Sequence, residues 1–206
     1  MIKVYGSLGT RSLRVVWALE EAGADYEYVK VDVMRGEGRR PPYIDINPTG
    51  KVPTLVEDDF VLSESAAICA YVGDRFPSAG LTPPAGTRER ARYDKWCYYV
   101  IGELEQPLWT IAKHRFAIPE KWRVAAVIET ATWEFHVAAK ALDQQFGDGP
   151  YVLGARFTCA DILIAHTLAW ADQSRIAHDF PRLKEYAQRC LARPALARAV
   201  AREKSA

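Results

Sequence analysis

At 206 residues, with 49% hydrophobic and 26% charged side chains, the chain can bury a core as one domain or two small ones. Its 27 Lys and Arg against 26 Asp and Glu leave a net charge of +1, which supplies no field for nucleic acid or an anionic membrane surface. No apolar run approaches the ~20 residues of a membrane helix, and the opening MIKVYGS enters a strand pattern without the marks of a signal peptide. Cys69, Cys97, Cys159 and Cys190 lie far apart, three of them in apolar helical patterns, which reads as reduced thiols of a cytoplasmic protein.

Residues 2–5 alternate apolar and polar and stop at Gly6-Ser7, a first strand. Residues 10–22 are helical, with Leu13, Val16, Trp17 and Leu19 on one side and Gly23 as a stop. Residues 26–33 form a second strand, so the unit fits a right-handed crossover with parallel pairing. Residues 35–40 are a charged, glycine-containing loop, and Pro41-Pro42 opens a short helix. Residues 54–56 and 60–62 make a hairpin, and 65–76 a helix. Residues 77–86, PSAGLTPPAG, have the composition of a linker.

Beyond it everything is helical. Residues 87–115 form a long pattern broken near Pro107. A second pattern opens at Pro119 and runs through Ala125, Ile128, Ala131, Phe135, Ala138 and Leu142 to the stop at 147–150. Helices at 158–173, 181–192 and 194–202 follow. The predicted plan is α/β plus all-α, with an α/β domain over 1–77, a linker over 78–86 and an all-helical domain over 87–206. Thr158 to Asp161 spell a capping box with Asp in place of Glu, followed by Ile162-Leu163-Ile164-Ala165. The Thr158 hydroxyl accepts from the Asp161 amide and the carboxylate reaches back to the Thr158 amide, which fixes where a buried helix starts. Losing such a cap costs about 1 kcal/mol.

Functional information concentrates in NPTGKVPTLVEDDFVLSESAAI, residues 47–68. Pro53 cannot donate to a ladder, so it belongs at an edge, a bulge or a strand start. A cis Val52–Pro53 bond, which sequence does not establish, turns the backbone groups of Val52 outward, where an extended peptide can pair with them. Glu64, between Ser63 and Ser65, opens a helix whose N-terminal amides attract a carboxylate. Without a ligand, the same residues make a strand, a tight turn and a helix capped by Ser63 or Ser65.

The β-α-β order, INPTGKVPTLV, LSESAAICAYV and the downstream YVLGARFTCADILIA together resemble a soluble glutathione S-transferase of theta- and phi-like bacterial type, over nearly the whole chain. The resemblance implies a thioredoxin-like N-terminal domain, a cis Val-Pro bond and glutathione as co-substrate, with no metal. Residue by residue, it assigns Val52 and Pro53 to the cysteinyl part of the tripeptide and Glu64 and Ser65 to its γ-glutamyl end. Lys51 and Arg39 fall where the peptide and its glycine carboxylate are met, although Gly38 stands where one plant and bacterial pattern has His. The implied activity is conjugation of glutathione to small apolar electrophiles, a detoxification transferase.

Such an enzyme must favour the thiolate of a thiol whose pKa is near 8.5. Lowering that by about 2 units requires roughly 2.7 kcal/mol of preference for the anion, within reach of a hydroxyl donor and a helix N-terminus. In the turn Gly6–Ser12, the resemblance lands the catalytic serine position on Thr10. Ser12 is the second choice, Ser7 lies too early, and Tyr5 reads as a core or interface side chain. Arg11 and Arg14, in the first helical turn, read as solvated, with Arg11 as an alternative source of positive potential at the sulfur. No cysteine occupies this turn.

For the electrophile, the resemblance points to the first helices of the helical domain. Tyr93 and Trp96 read as core, while Trp109, His114 and Arg115, beyond Pro107, are the candidates to contact it. His136, His166 and His178 are isolated and read as structural. A homodimer is the family rule, and the charged residues 87–95 suit a polar interface as well as a solvated face. The alternatives are a non-catalytic ligand-binding or assembly protein on the same scaffold, and a glutathione-dependent peroxidase or isomerase.

Overall fold

The computed structural model describes residues 1–176 and 179–206; His178 lies outside them. The chain divides into two compact units, Met1–Pro84 with Ala192–Ala206, and Ala85–Leu191.

The first unit contains β1 (Ile2–Gly6), α1 (Ser12–Ala22), β2 (Tyr26–Lys30), the short α2 (Tyr43–Ile46), β3 (Thr54–Glu57), β4 (Phe60–Ser63) and α3 (Ser65–Arg75). The sheet runs β2-β1-β3-β4, with β1 parallel to β2 and the other neighbours antiparallel. This is the expected thioredoxin-like arrangement. Val4, Leu55, Val15, Val16, Trp17, Leu19, Ile68, Cys69 and Val72 close its core without exposure, and α1 packs on both α3 and β1. The residues of the expected linker belong to this unit as far as Pro84. Leu81 is buried, and a Cβ on Gly73 would meet Thr82 Cγ2 at 2.4 Å.

The second unit holds α4 (Arg88–Tyr99), α5 (Glu105–Ala112), α6 (Val127–Gln145), α7 (Cys159–Gln173) and α8 (Pro181–Leu191). The break expected near Pro107 is a π-helical turn just ahead of it, Val100–Leu104. Pro107 has no amide and its ring crowds the carbonyl four residues back, at Glu103, so the wide turn absorbs the conflict. Tyr93 and Trp96 are buried, as their helical spacing predicts. The helix expected from Pro119 begins only at Val127. Arg123 instead donates to the carbonyls of Phe116 and Ile118, which holds the preceding stretch as a loop.

The last helix, α9 (Pro194–Ser205), departs from the sequence assignment to the helical domain and lies in the first unit. Arg193 grips Glu21 through two nitrogens at 2.5 and 2.7 Å, Arg198 meets Glu20 at 2.9 Å, and Ala195, Leu196 and Ala199 are buried. A helical pattern shows which face is apolar but not which core receives it. All four cysteines are buried thiols. Among the described residues, no helix is long and apolar enough to cross a membrane.

Candidate functional site

Three segments of the first unit form the candidate site. The first is the turn after β1. Gly9 takes φ +73°, a conformation that suits glycine, and the chain enters α1 at Ser12, two residues later than the periodicity predicts. Ser12 is fully buried, Ser7 nearly so, and Thr10 half-buried. The Ser7 amide donates to Ser12 Oγ at 3.2 Å. Ser12 Oγ and Thr10 Oγ1 share a hydrogen bond of 2.8 Å. Thr10 Oγ1 donates to the Ser7 carbonyl at 2.7 Å and accepts from the Ser12 amide at 3.2 Å. Because Ser12 Oγ already accepts from Ser7, its own proton is available to Thr10. The structure therefore brings both candidate hydroxyls together in one chain, with Thr10 at the accessible end. Tyr5 packs its ring 5.7 Å from that of Tyr43.

The second segment is the turn into β3. The Val52–Pro53 bond is cis. The ladder of β3 begins at Thr54, so Val52 stays outside it. Side chains that sequence reading did not single out hold this stretch. Asn47, buried, donates through Nδ2 to the Lys51 carbonyl and to Thr54 Oγ1, both at 2.9 Å. Its Oδ1 accepts from the Thr49 amide and hydroxyl at 3.1 and 2.8 Å. Tyr43 Oη reaches the same Lys51 carbonyl and bonds Thr54 Oγ1. An Asn before Pro-Thr-Gly was the signal available, since Asn side chains bond their own backbone two residues on.

Gly38 receives a physical reason here. A Cβ on Gly38 would lie 2.5 Å from the Gly50 carbonyl oxygen, and one on Gly50 would lie 2.9 Å from that of Gly38 and 3.3 Å from Arg39 Cγ. The two backbones touch, which leaves no room for a side chain at 38. The same contact sets the Arg39 stem along Gly50, next to Lys51, and both cations are exposed.

The third segment is the start of α3. Glu64, exposed, sits at the N-cap with φ 69° and ψ 113°, and no side-chain hydrogen bond caps the helix. A non-glycine residue in that region costs of order 1–3 kcal/mol and marks functional sites. Ser65, 4% exposed, accepts from Arg14 Nη1 at 3.3 Å. Arg14 corrects the sequence reading. Far from being solvated, it is fully buried in α1 and ties the turn carrying the hydroxyls to the turn carrying Ser65. Arg11 is half-buried.

In the second unit, Trp109 is half-buried on α5. His114 and Arg115 lie on a π-helical turn, Lys113–Ala117. His114 Nδ1 accepts from the Val124 amide at 3.0 Å, and Arg115 Nη1 donates to the Ser174 carbonyl at 3.1 Å, so both help tie down neighbouring chain. The capping box is present. Asp161 is fully buried: Oδ2 accepts from the Thr158 amide at 2.8 Å and hydroxyl at 3.2 Å, and Oδ1 accepts from the Val152 amide at 2.9 Å and Tyr186 Oη at 2.8 Å. Burial pushes its carboxyl above the ordinary range, and those donors pull the other way. Burial and the adjacent carboxylate raise Tyr186. Among the described residues, no three His, Cys, Asp or Glu stand together as metal ligands.

Residues 1–74 match the family model for the glutathione S-transferase N-terminal domain, and residues 125–189 that for the glutathione S-transferase C-terminal domain. Glutathione S-transferase 4 of Zea mays is 30% identical over 94% of this chain and 89% of that protein. A glutathione transferase from Methylococcus capsulatus superposes with a TM-score of 0.88 at 30% identity, covering 100% of both chains. A sphingomonad glutathione S-transferase complexed with glutathione gives 0.85 at 30% identity, over 99% of this chain and 100% of that one.

Proposed function

The chain belongs to the glutathione S-transferase family, and on that premise we propose that it conjugates glutathione to small apolar electrophiles, with Thr10 as the hydroxyl that favours the thiolate. Lys51, Val52 and Pro53 take the cysteinyl part of the peptide by strand addition. Glu64, Ser65 and the amides at the start of α3 take the γ-glutamyl end, the carboxylate of Glu64 facing its ammonium and the amides its carboxylate. Arg39, with Lys51 beside it, meets the glycine carboxylate.

The observation that carries this reading is Glu64, held exposed in a costly backbone conformation beside a serine already engaged by a buried arginine. A fold does not hold an acid there for its own stability; a cationic ligand group accounts for it. For the thiol, the order Ser7 amide, Ser12 hydroxyl, Thr10 hydroxyl leaves Thr10 able to swing its proton from the Ser7 carbonyl to an incoming sulfur. It still accepts from Ser12 while doing so, and such chains strengthen their last donor. Trp109 is the apolar contact proposed for the electrophile. A cytoplasmic homodimer completes the reading, supported by the four buried thiols and by exposed Tyr98 and Trp133 on the second unit.

Conjugation of glutathione to a generic aryl halide tests Thr10. Thr10→Val, which keeps shape and loses the hydroxyl, is expected to lower kcat/KM by about 10- to 100-fold, the worth of one hydrogen bond to an anion. Thr10→Ser is expected to retain activity. Equal turnover by wild type and Thr10→Val contradicts the assignment, and glutathione binding without turnover in any form favours the binding-protein alternative.

A further inference from the structure

The last helix carries a carboxylate into the first unit that the conjugation chemistry does not use. Glu203 lies close to the chain end, yet it is 3% exposed. Tyr28 Oη, from β2, donates to its Oε1 at 3.4 Å. Tyr28 in turn presses on the end of β1. A Cβ on Gly6 would meet Tyr28 Cε2 and Oη at 2.7 Å each and Ser12 Cβ at 2.8 Å. The phenol and the base of Ser12 therefore share one glycine as their meeting point. The residue after it, Ser7, is the one whose amide holds Ser12 Oγ.

The charges around Glu203 are engaged elsewhere. On β2, Tyr26 donates to Glu20 at 2.7 Å and Lys30 Nζ to the Ala206 carbonyl at 3.1 Å. On α9, the Arg202 guanidinium stacks 5.3 Å from the Tyr26 ring centroid, and Arg198 pairs with Glu20 of α1. Arg193, just ahead of α9, pairs with Glu21 of α1. Lys204 is exposed. Glu203 thus depends on the Tyr28 hydroxyl. Burial pushes its carboxyl up to about 7, against the pull of that hydrogen bond, and burial also raises Tyr28.

We propose that Glu203 is a positioning residue for the thiol site, acting through Tyr28 on Gly6 and Ser12 so that the Thr10–Ser12 hydroxyl pair is set from behind by the C-terminal helix. The inference rests on the Thr10 reading above. When Glu203 ionises, the phenol donates to an anion and the bond tightens, a gain worth about fivefold in turnover. The charge appears in the neutral range, so the effect adds a limb to the pH dependence of kcat beyond the ionisation of the thiol.

The test measures kcat against pH at saturating glutathione, together with the ultraviolet titration of the bound thiol, in wild type, Thr10→Val, Glu203→Gln and Tyr28→Phe. Glu203→Gln keeps the shape and an acceptor but not the charge. It is expected to abolish the limb near pH 7 while the KM for glutathione stays within about twofold of wild type. Tyr28→Phe is expected to lower kcat about fivefold. If the Glu203→Gln profile superimposes on that of wild type while Thr10→Val shifts the thiol, this inference fails alone. If Thr10→Val leaves the thiol unshifted, the underlying reading has failed.

Discussion

Asp161 and Glu64 both stand at helix starts, and their surroundings are opposite. Asp161, in α7, is fully buried and receives four donors from its own chain. Glu64, at α3, is exposed, makes no capping hydrogen bond and holds φ at 69°. The first carboxylate is used up by folding. The second is held at a cost and caps nothing. A buried acid with every lone pair occupied argues for structure, and an exposed one in a strained backbone argues for a ligand.

The largest expected effect breaks the structural side of that pair. Asp161→Ala strands four buried donors and should cost about 3–5 kcal/mol in chemical denaturation. Glutathione affinity of the folded fraction should be untouched. Next, Glu64→Gln should weaken glutathione binding about tenfold or more by calorimetry, the loss of one charge-assisted contact. Its denaturation midpoint should not fall. Glu64→Gly sharpens the point further, because glycine accepts that backbone freely. Stability should rise by about 1 kcal/mol while affinity drops. If both fall together, Glu64 is a fold residue like Asp161.

Glu203 stands between the two, buried but held by one phenol. Its carboxyl is raised from 4.5 to about 7 in the folded chain. Its contribution to stability is therefore full below the unfolded value and is lost as pH rises through about 7. Wild type should lose about 2 kcal/mol relative to Glu203→Gln between pH 4.5 and 7.5, after allowance for solvent screening. Parallel stability curves for the two proteins would contradict this.

Much of this was legible in the sequence because periodicity and local chemistry act over short distances. Each strand and helix of the β-α-β unit, the hairpin, the Val52–Pro53 edge and the Thr158–Asp161 box declares itself through its own short stretch of sequence. What was hidden depended on distant partners. Arg14 looked like a solvated first-turn cation because nothing local joins it to Ser65, 51 residues away. Tyr186 reaches Asp161 across 25 residues, and α9 follows the helical domain in sequence but packs on α1. Gly38 looked like a missing histidine and is instead a backbone contact with Gly50, which only the fold brings near.

The Gly6–Ser12 turn is proposed to lower the pKa of a thiol held by the second and third segments. Ultraviolet titration of enzyme-bound glutathione against pH measures it directly. Wild type should show the thiolate forming about 2 units below the ordinary value near 8.5, and Thr10→Val should return it most of the way. A bound thiol that titrates alike in both proteins would contradict the account.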